Sequence, residues 1–109
     1  MRSRELLEIR EKVVKALEKL CKDLDAEVYL FGSFAKNTYT KHSDVDVVIV
    51  SERFKGVRYV DRIAIARTRL PMKYSFDIIA LTHEELGKKL SNSFYKEISS
   101  HWIMITCGR

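Results

Sequence analysis

The chain has one proline, four glycines and two cysteines among its 109 residues. So little proline and glycine excludes a collagen-like or low-complexity chain. Hydrophobic residues at 46% beside charged residues at 32% describe a globular protein with a core. Cys21 and Cys107 lie far apart with no CxxC or CxxxxH companion, so neither a zinc site nor a disulfide framework is suggested. Both are expected as buried free thiols. No apolar run approaches the length of a membrane span or a signal-peptide core, so a soluble cytoplasmic protein is expected. There is no internal repeat or linker, and the length suits one domain spanning 1–109.

Acidic residues are the scarcer charge: 15 Asp and Glu stand against 20 Lys and Arg, a formal net charge of +5. That balance favours phosphate-bearing ligands or an acidic partner without identifying either. No aromatic-rich basic run is present to stack bases, and a polynucleotide partner is not expected.

From Arg4 to Leu24, Leu6, Ile9, Val13, Leu17, Leu20 and Leu24 recur at three- and four-residue spacing and predict a long amphipathic helix. Its other face sets Glu8, Glu11 and Glu18 each four residues before a lysine. Glu27 to Phe31 predicts a short strand ended by Gly32 and Ser33, with a loop or short helix after it. Asp44 to Val50 (DVDVVIV) predicts a central strand, because nearly every position after the two acids is a β-branched apolar residue. A second helix is predicted over Arg58 to Leu70, with Val60, Ile63, Ala64 and Leu70 inward and Pro71 ending it. Phe76 to Leu81 predicts a third strand. Thr82 and Glu85 form a capping-box pattern opening a helix to about Leu90, a short helix follows near Phe94 to Ser99, and WIMIT suits a last strand.

Three features converge on one chemistry. A Gly-Ser turn follows a strand, an Asp-x-Asp opens the next, and a third acid, Asp77, interrupts an otherwise apolar strand. Residues i and i+2 of a strand point to one face, so Asp44 and Asp46 project together. Neighbouring carboxylates repel and are costly in an apolar setting unless a cation neutralises them. A hard divalent ion such as magnesium, which joins one or two carboxylates to substrate phosphates, suits this pair better than zinc does. Gly32 lets the backbone approach a phosphate closely, and the Ser33 hydroxyl with nearby N–H groups can hold its oxygens. Together these parts describe phosphoryl-type transfer assisted by two metals.

The segment GSFAKNTYTKHSDVDVVI, with ten residues between Ser33 and Asp44, resembles the signature of the polymerase-beta-like nucleotidyltransferases, and Asp77 in FDIIAL matches their third carboxylate. LTHEEL and FYKEISSHWIMIT resemble the tail of the minimal nucleotidyltransferases, which are often encoded beside a HEPN-domain protein. The resemblance implies an α/β (α+β) fold with a mixed β-sheet and helices mainly on one face. It also implies ATP or another nucleoside triphosphate as donor, two Mg2+ ions, and attack on the α-phosphate with pyrophosphate leaving. By matching positions, Ser33 would contact the terminal phosphates, Asp44 and Asp46 would bind both metals, and Asp77 would bind the metal that activates the acceptor hydroxyl. Many relatives carry arginine and glycine where Lys36 and Asn37 stand; asparagine tolerates the left-handed backbone such a turn requires.

Plainer readings stand beside these. Gly32 and Ser33 alone are an ordinary turn. Asp44 and Asp46 alone are an acidic strand end, with Ser43 either its polar cap or a further nucleotide-binding residue. Arg58, Arg62 and Arg69 read as a solvated stripe, and His42, His83 and His101 as loop, helix-entry or packing residues. Tyr95 and Trp102 read as core or interface aromatics. The expected activity is transfer of AMP, or another nucleoside monophosphate, to a hydroxyl on a HEPN-type toxin, with this chain as antitoxin. A second chain or a second copy should complete the walls that so short a chain lacks. The alternatives are a non-catalytic antitoxin of the same fold and a small-molecule nucleotidyltransferase.

Overall fold

The computed structural model describes residues 3–107; Met1, Arg2, Gly108 and Arg109 of the expected 1–109 unit lie outside the described residues. Helix α1 spans Arg4–Leu24, as the apolar stripe requires. The Ser3 hydroxyl accepts the Leu6 N–H at its start, and Asp25 turns the chain left-handed at its end (φ 48). Val13, Leu17, Leu20 and Leu24 are buried, and on the outer face Glu11 pairs with Lys15 at 3.1 Å.

Four strands form a mixed sheet in the order β3-β2-β1-β4, with β1 Glu27–Phe31, β2 Val45–Val50, β3 Phe76–Leu81 and β4 Ile103–Ile105. β1 is antiparallel to both β2 and β4, whereas β2 and β3 are parallel. A parallel pair needs a crossover, and helix α3 (Tyr59–Arg67) supplies it. Alternation along the strands divides the apolar residues between two cores. Val28, Leu30, Val45, Val47, Ile49, Ile78 and Ala80 meet α1, α3 and the stacked rings of Phe34 and Tyr39. On the other face Phe31, Val48, Val50 and Leu81 meet Leu86 of α4 (His83–Lys89) and Ile98 of α5 (Ser93–His101), forming a smaller core. The Thr82–Glu85 capping box forms as expected. The one-turn helix α2 (Gly32–Lys36) follows β1 directly, its first residue Gly32 turning the chain at φ +70.

Two expectations are overturned. The second helix is shorter than 58–70 and is rotated: Val60 is 66% exposed and Ala64 is also outward, while Arg62, Ala66 and Leu70 are buried. Arg62 is therefore no part of a solvated stripe. It is 7% exposed, donates to the carbonyls of Val57 (2.8 Å) and Ala80 (3.2 Å), and forks onto the Glu85 carboxylate. A buried guanidinium is tolerated because its donors find acceptors. The thiols are not free either: Cys21 and Cys107 are joined by a disulfide, Cα atoms 5.8 Å apart. β4 returns beside β1, which follows α1, and Cys107, two residues after the last strand, thereby meets Cys21 in the last turn of the first helix. No local spacing carries that information.

Candidate active site

Asp46 is the second residue of β2 and Asp77 the second of β3, and the parallel register sets the two directly side by side. Adjacent strands lie roughly 4.8 Å apart, so the two carboxylates start from neighbouring rungs of one face. That face is the one covered by α5, with Val48 and Ile79 behind the acids. Asp44 stands one residue before β2, which begins at Val45 rather than at Asp44. The delay has a local cause. The Ser43 hydroxyl accepts the Thr40 N–H at 2.8 Å and the Ser43 N–H donates to the Thr40 carbonyl at 3.1 Å, which closes a turn ahead of the strand.

Asp46 is half-buried, whereas Asp44 and Asp77 are exposed. Burial pushes the Asp46 carboxyl above the usual carboxylate range, and the charges of Asp77 and Asp44 push it further the same way. Among the described residues no three Asp, Glu, His or Cys side chains are grouped so as to hold a metal ion. The donor set nevertheless fits a hard cation. It is all oxygen, open to solvent on one side, and carries repulsion that a bound positive charge would relieve.

Gly32 closes the other side. Its φ is +70, and a Cβ there would fall 2.1 Å from Asp46 Oδ2. The close approach made possible by the missing side chain is thus to Asp46 itself. α2 turns off at Asn37 (φ 61), whose N–H returns to the Ser33 carbonyl. The left-handed geometry expected of asparagine at this position is present. Phe31, immediately before Gly32, pairs in register with Asp46, so the Gly32–Ser33 turn is held at the head of the acidic cluster.

One contact at the site was not legible in the sequence. The Gly32 N–H donates to His101 Nε2 at 3.1 Å across 69 residues. His101 lies within the FYKEISSHWIMIT segment, but its relation to Gly32 exists only once α5 lies over β1. Arg58 pairs with Asp61, Arg69 donates to the Ile65 carbonyl, and the His42 N–H donates to Thr40 Oγ1 in the turn ahead of Asp44, whereas Lys36 approaches Glu97 of α5 at 4.0 Å.

The nucleotidyltransferase domain family matches residues 10–101. The chain belongs to that family. An inferred protein adenylyltransferase of Methanocaldococcus jannaschii is 28% identical over 101 residues, covering 93% of this chain and 99% of the relative. The fold is shared with the crystal structure of an inferred nucleotidyltransferase from Sulfolobus solfataricus, with a TM-score of 0.65 at 19% identity, covering 94% of this chain and 87% of that one. It is also shared with a toxin-antitoxin structure containing AMP-PNP, with a TM-score of 0.58 at 16% identity, covering 88% and 74%. The polymerase-beta-like nucleotidyltransferase fold implied by the sequence resemblance is the fold observed.

Proposed function

We propose that this chain, acting as one minimal domain, transfers AMP from ATP to a hydroxyl on a protein partner. The observation that carries the reading is the registered pair Asp46 and Asp77, with Asp44 beside them and the Gly32 backbone against Asp46. Asp44 and Asp46 would hold both magnesium ions and Asp77 one of them; the ions, when bound, neutralise charge developing on the entering and leaving oxygens. Ser33 would hold the β- and γ-phosphates through its hydroxyl and backbone N–H on the close approach that Gly32 permits, with Ser43 shaping the turn that presents Asp44. The acceptor hydroxyl gives up its proton to solvent as its oxygen bonds to the α-phosphorus, the bond from that phosphorus to the bridging oxygen breaks, and pyrophosphate departs.

Two findings support a protein as acceptor. The chain spans nearly the whole of a relative described as a protein adenylyltransferase. A neighbour of the same fold is a toxin-antitoxin structure with an ATP analogue. A HEPN-domain toxin is the partner proposed, with this chain as its antitoxin.

Incubating the chain with α-labelled ATP, magnesium and the protein that co-purifies with it should place label on that protein. Asp46→Asn should abolish labelling while leaving the circular dichroism spectrum unchanged. Stoichiometric inhibition of the partner without label would instead make the chain a non-catalytic antitoxin. Label on an added aminoglycoside would make it a small-molecule transferase.

A further inference from the structure

We infer that His101 is a positioning residue for the nucleotide: its Nε2 holds the backbone N–H of Gly32, and thereby sets the turn that carries Ser33 against the Asp46 carboxylate. The inference rests on the nucleotidyltransferase reading of the site but concerns a residue outside its motif.

The geometry begins with α5. Phe94 meets Phe31 edge-on at 6.3 Å near the start of the helix, and Trp102, directly after its end, stacks on Tyr29 at 4.2 Å. Both partners belong to β1, so α5 is clamped along the strand that delivers Gly32. Ile98 is buried between the clamps. His101, the last residue of α5, is thereby held over the strand's end, and its Nε2 accepts from Gly32 at 3.1 Å. An imidazole that accepts at Nε2 carries its proton at Nδ1, so the neutral tautomer is defined by this contact.

The bond matters because of what surrounds Gly32. Its backbone is left-handed, and the carboxylate of Asp46 occupies the space a Cβ would need. A glycine has more backbone freedom than any other residue, so the peptide from Gly32 to Ser33 depends on contacts outside itself to hold one orientation. Three restraints oppose this: the register of Phe31 with Asp46, the return of the Asn37 N–H to the Ser33 carbonyl, and the His101 acceptor. The first two act on either side of the Gly32 N–H, and only the third takes hold of it. A donor turn fixed before ATP arrives avoids ordering it at the moment of binding.

His101→Phe keeps a ring in place without an acceptor, and His101→Gln can return an amide oxygen near the position of Nε2. In the Phe variant the KM for ATP should rise about three- to tenfold, the worth of one lost hydrogen bond. The KM for the acceptor should stay as in wild type, and Gln should recover most of the loss. In nuclear magnetic resonance spectra of metal-free protein, Gly32 amide exchange should quicken in the Phe variant and recover in Gln. That readout needs no enzymatic activity. If wild type transfers no AMP, the proposed reaction fails, and the exchange measurement together with the affinity for AMP-PNP and magnesium decides the role of His101. An unchanged KM or affinity for nucleotide in the Phe variant, or equal impairment of Phe and Gln, would overturn the inference.

Discussion

Gly32 carries two demands at once, a positive φ and the absence of a side chain, and the second follows from Asp46 rather than from a phosphate. Gly32→Ala should therefore strain the backbone and displace the carboxylate together. The expected cost is about 1–3 kcal/mol of stability. It should come with loss of AMP transfer out of proportion to the fall in Tm, measured by thermal melts beside the labelling assay. An alanine variant with wild-type melting and turnover would show that Asp46 yields to a Cβ at this position. At this scale much was legible beforehand. Ser33, Asp44, Asp46 and Asp77 could be named because spacing and local chemistry mark them, and Asn37 because its left-handed tolerance is intrinsic.

The elements are locked by two polar clamps that periodicity does not announce. Arg62 ties α3 to the end of β3 and to α4 through Ala80 and Glu85, and the guanidinium holds the Glu85 carboxyl down to about 2. Arg62→Ala should cost about 2–4 kcal/mol in urea denaturation, since it leaves buried acceptors and a carboxylate unmatched. Because the folded-state pKa of Glu85 lies below its ordinary 4.5, its contribution is present above about pH 4.5 and fades as pH falls towards 2. The alanine variant should show a shallower loss over that window.

The second clamp is His83, whose Nδ1 meets Glu52 at 2.8 Å and whose Nε2 meets Glu27 at 3.2 Å. It joins the start of α4 to the turn after β2 and to the start of β1. Glu52 foremost, with Glu27, raises its pKa above 6.5. A raised histidine pKa means stabilisation that is complete below about pH 6.5 and is lost as pH rises through the folded value. His83→Ala should thus lower the melting temperature at pH 5.5 and have little effect at pH 9; equal losses at both would refute the linkage. The Arg62 clamp was missed because a charged side chain reads as surface until the elements around it are placed, and α3 turned out to face Arg62 inward where Val60 was expected. His83 does open α4, and its two carboxylate partners come from elements that only the fold brings beside it.

For the molecule as a whole, the Cys21–Cys107 bond closes a loop that includes every strand. Its reduction should remove about 2–4 kcal/mol, chiefly by freeing the unfolded chain. Thermal melts with and without a thiol reductant should differ accordingly, while Cys21→Ser should melt like the reduced protein and lose its sensitivity to reductant. The bond lies at the β4 edge of the sheet, whereas Asp77 lies on β3 at the opposite edge. AMP transfer at a temperature well below the melting point should therefore survive reduction. Among the described residues no helix is long and apolar enough to cross a membrane.

The chain's order of residues was sufficient for whatever depends on near neighbours. The boundaries of α1, the valine-rich strand, the capping box at Thr82 and the spacing from Ser33 to Asp44 all arise within a few residues of one another. Folding alone decided the meetings across the chain: Asp46 beside Asp77, Gly32 against Asp46 and His101, Arg62 onto Glu85, and Cys21 with Cys107. These depend on strand order and parallel or antiparallel register, which long-range packing selects and which no local pattern encodes.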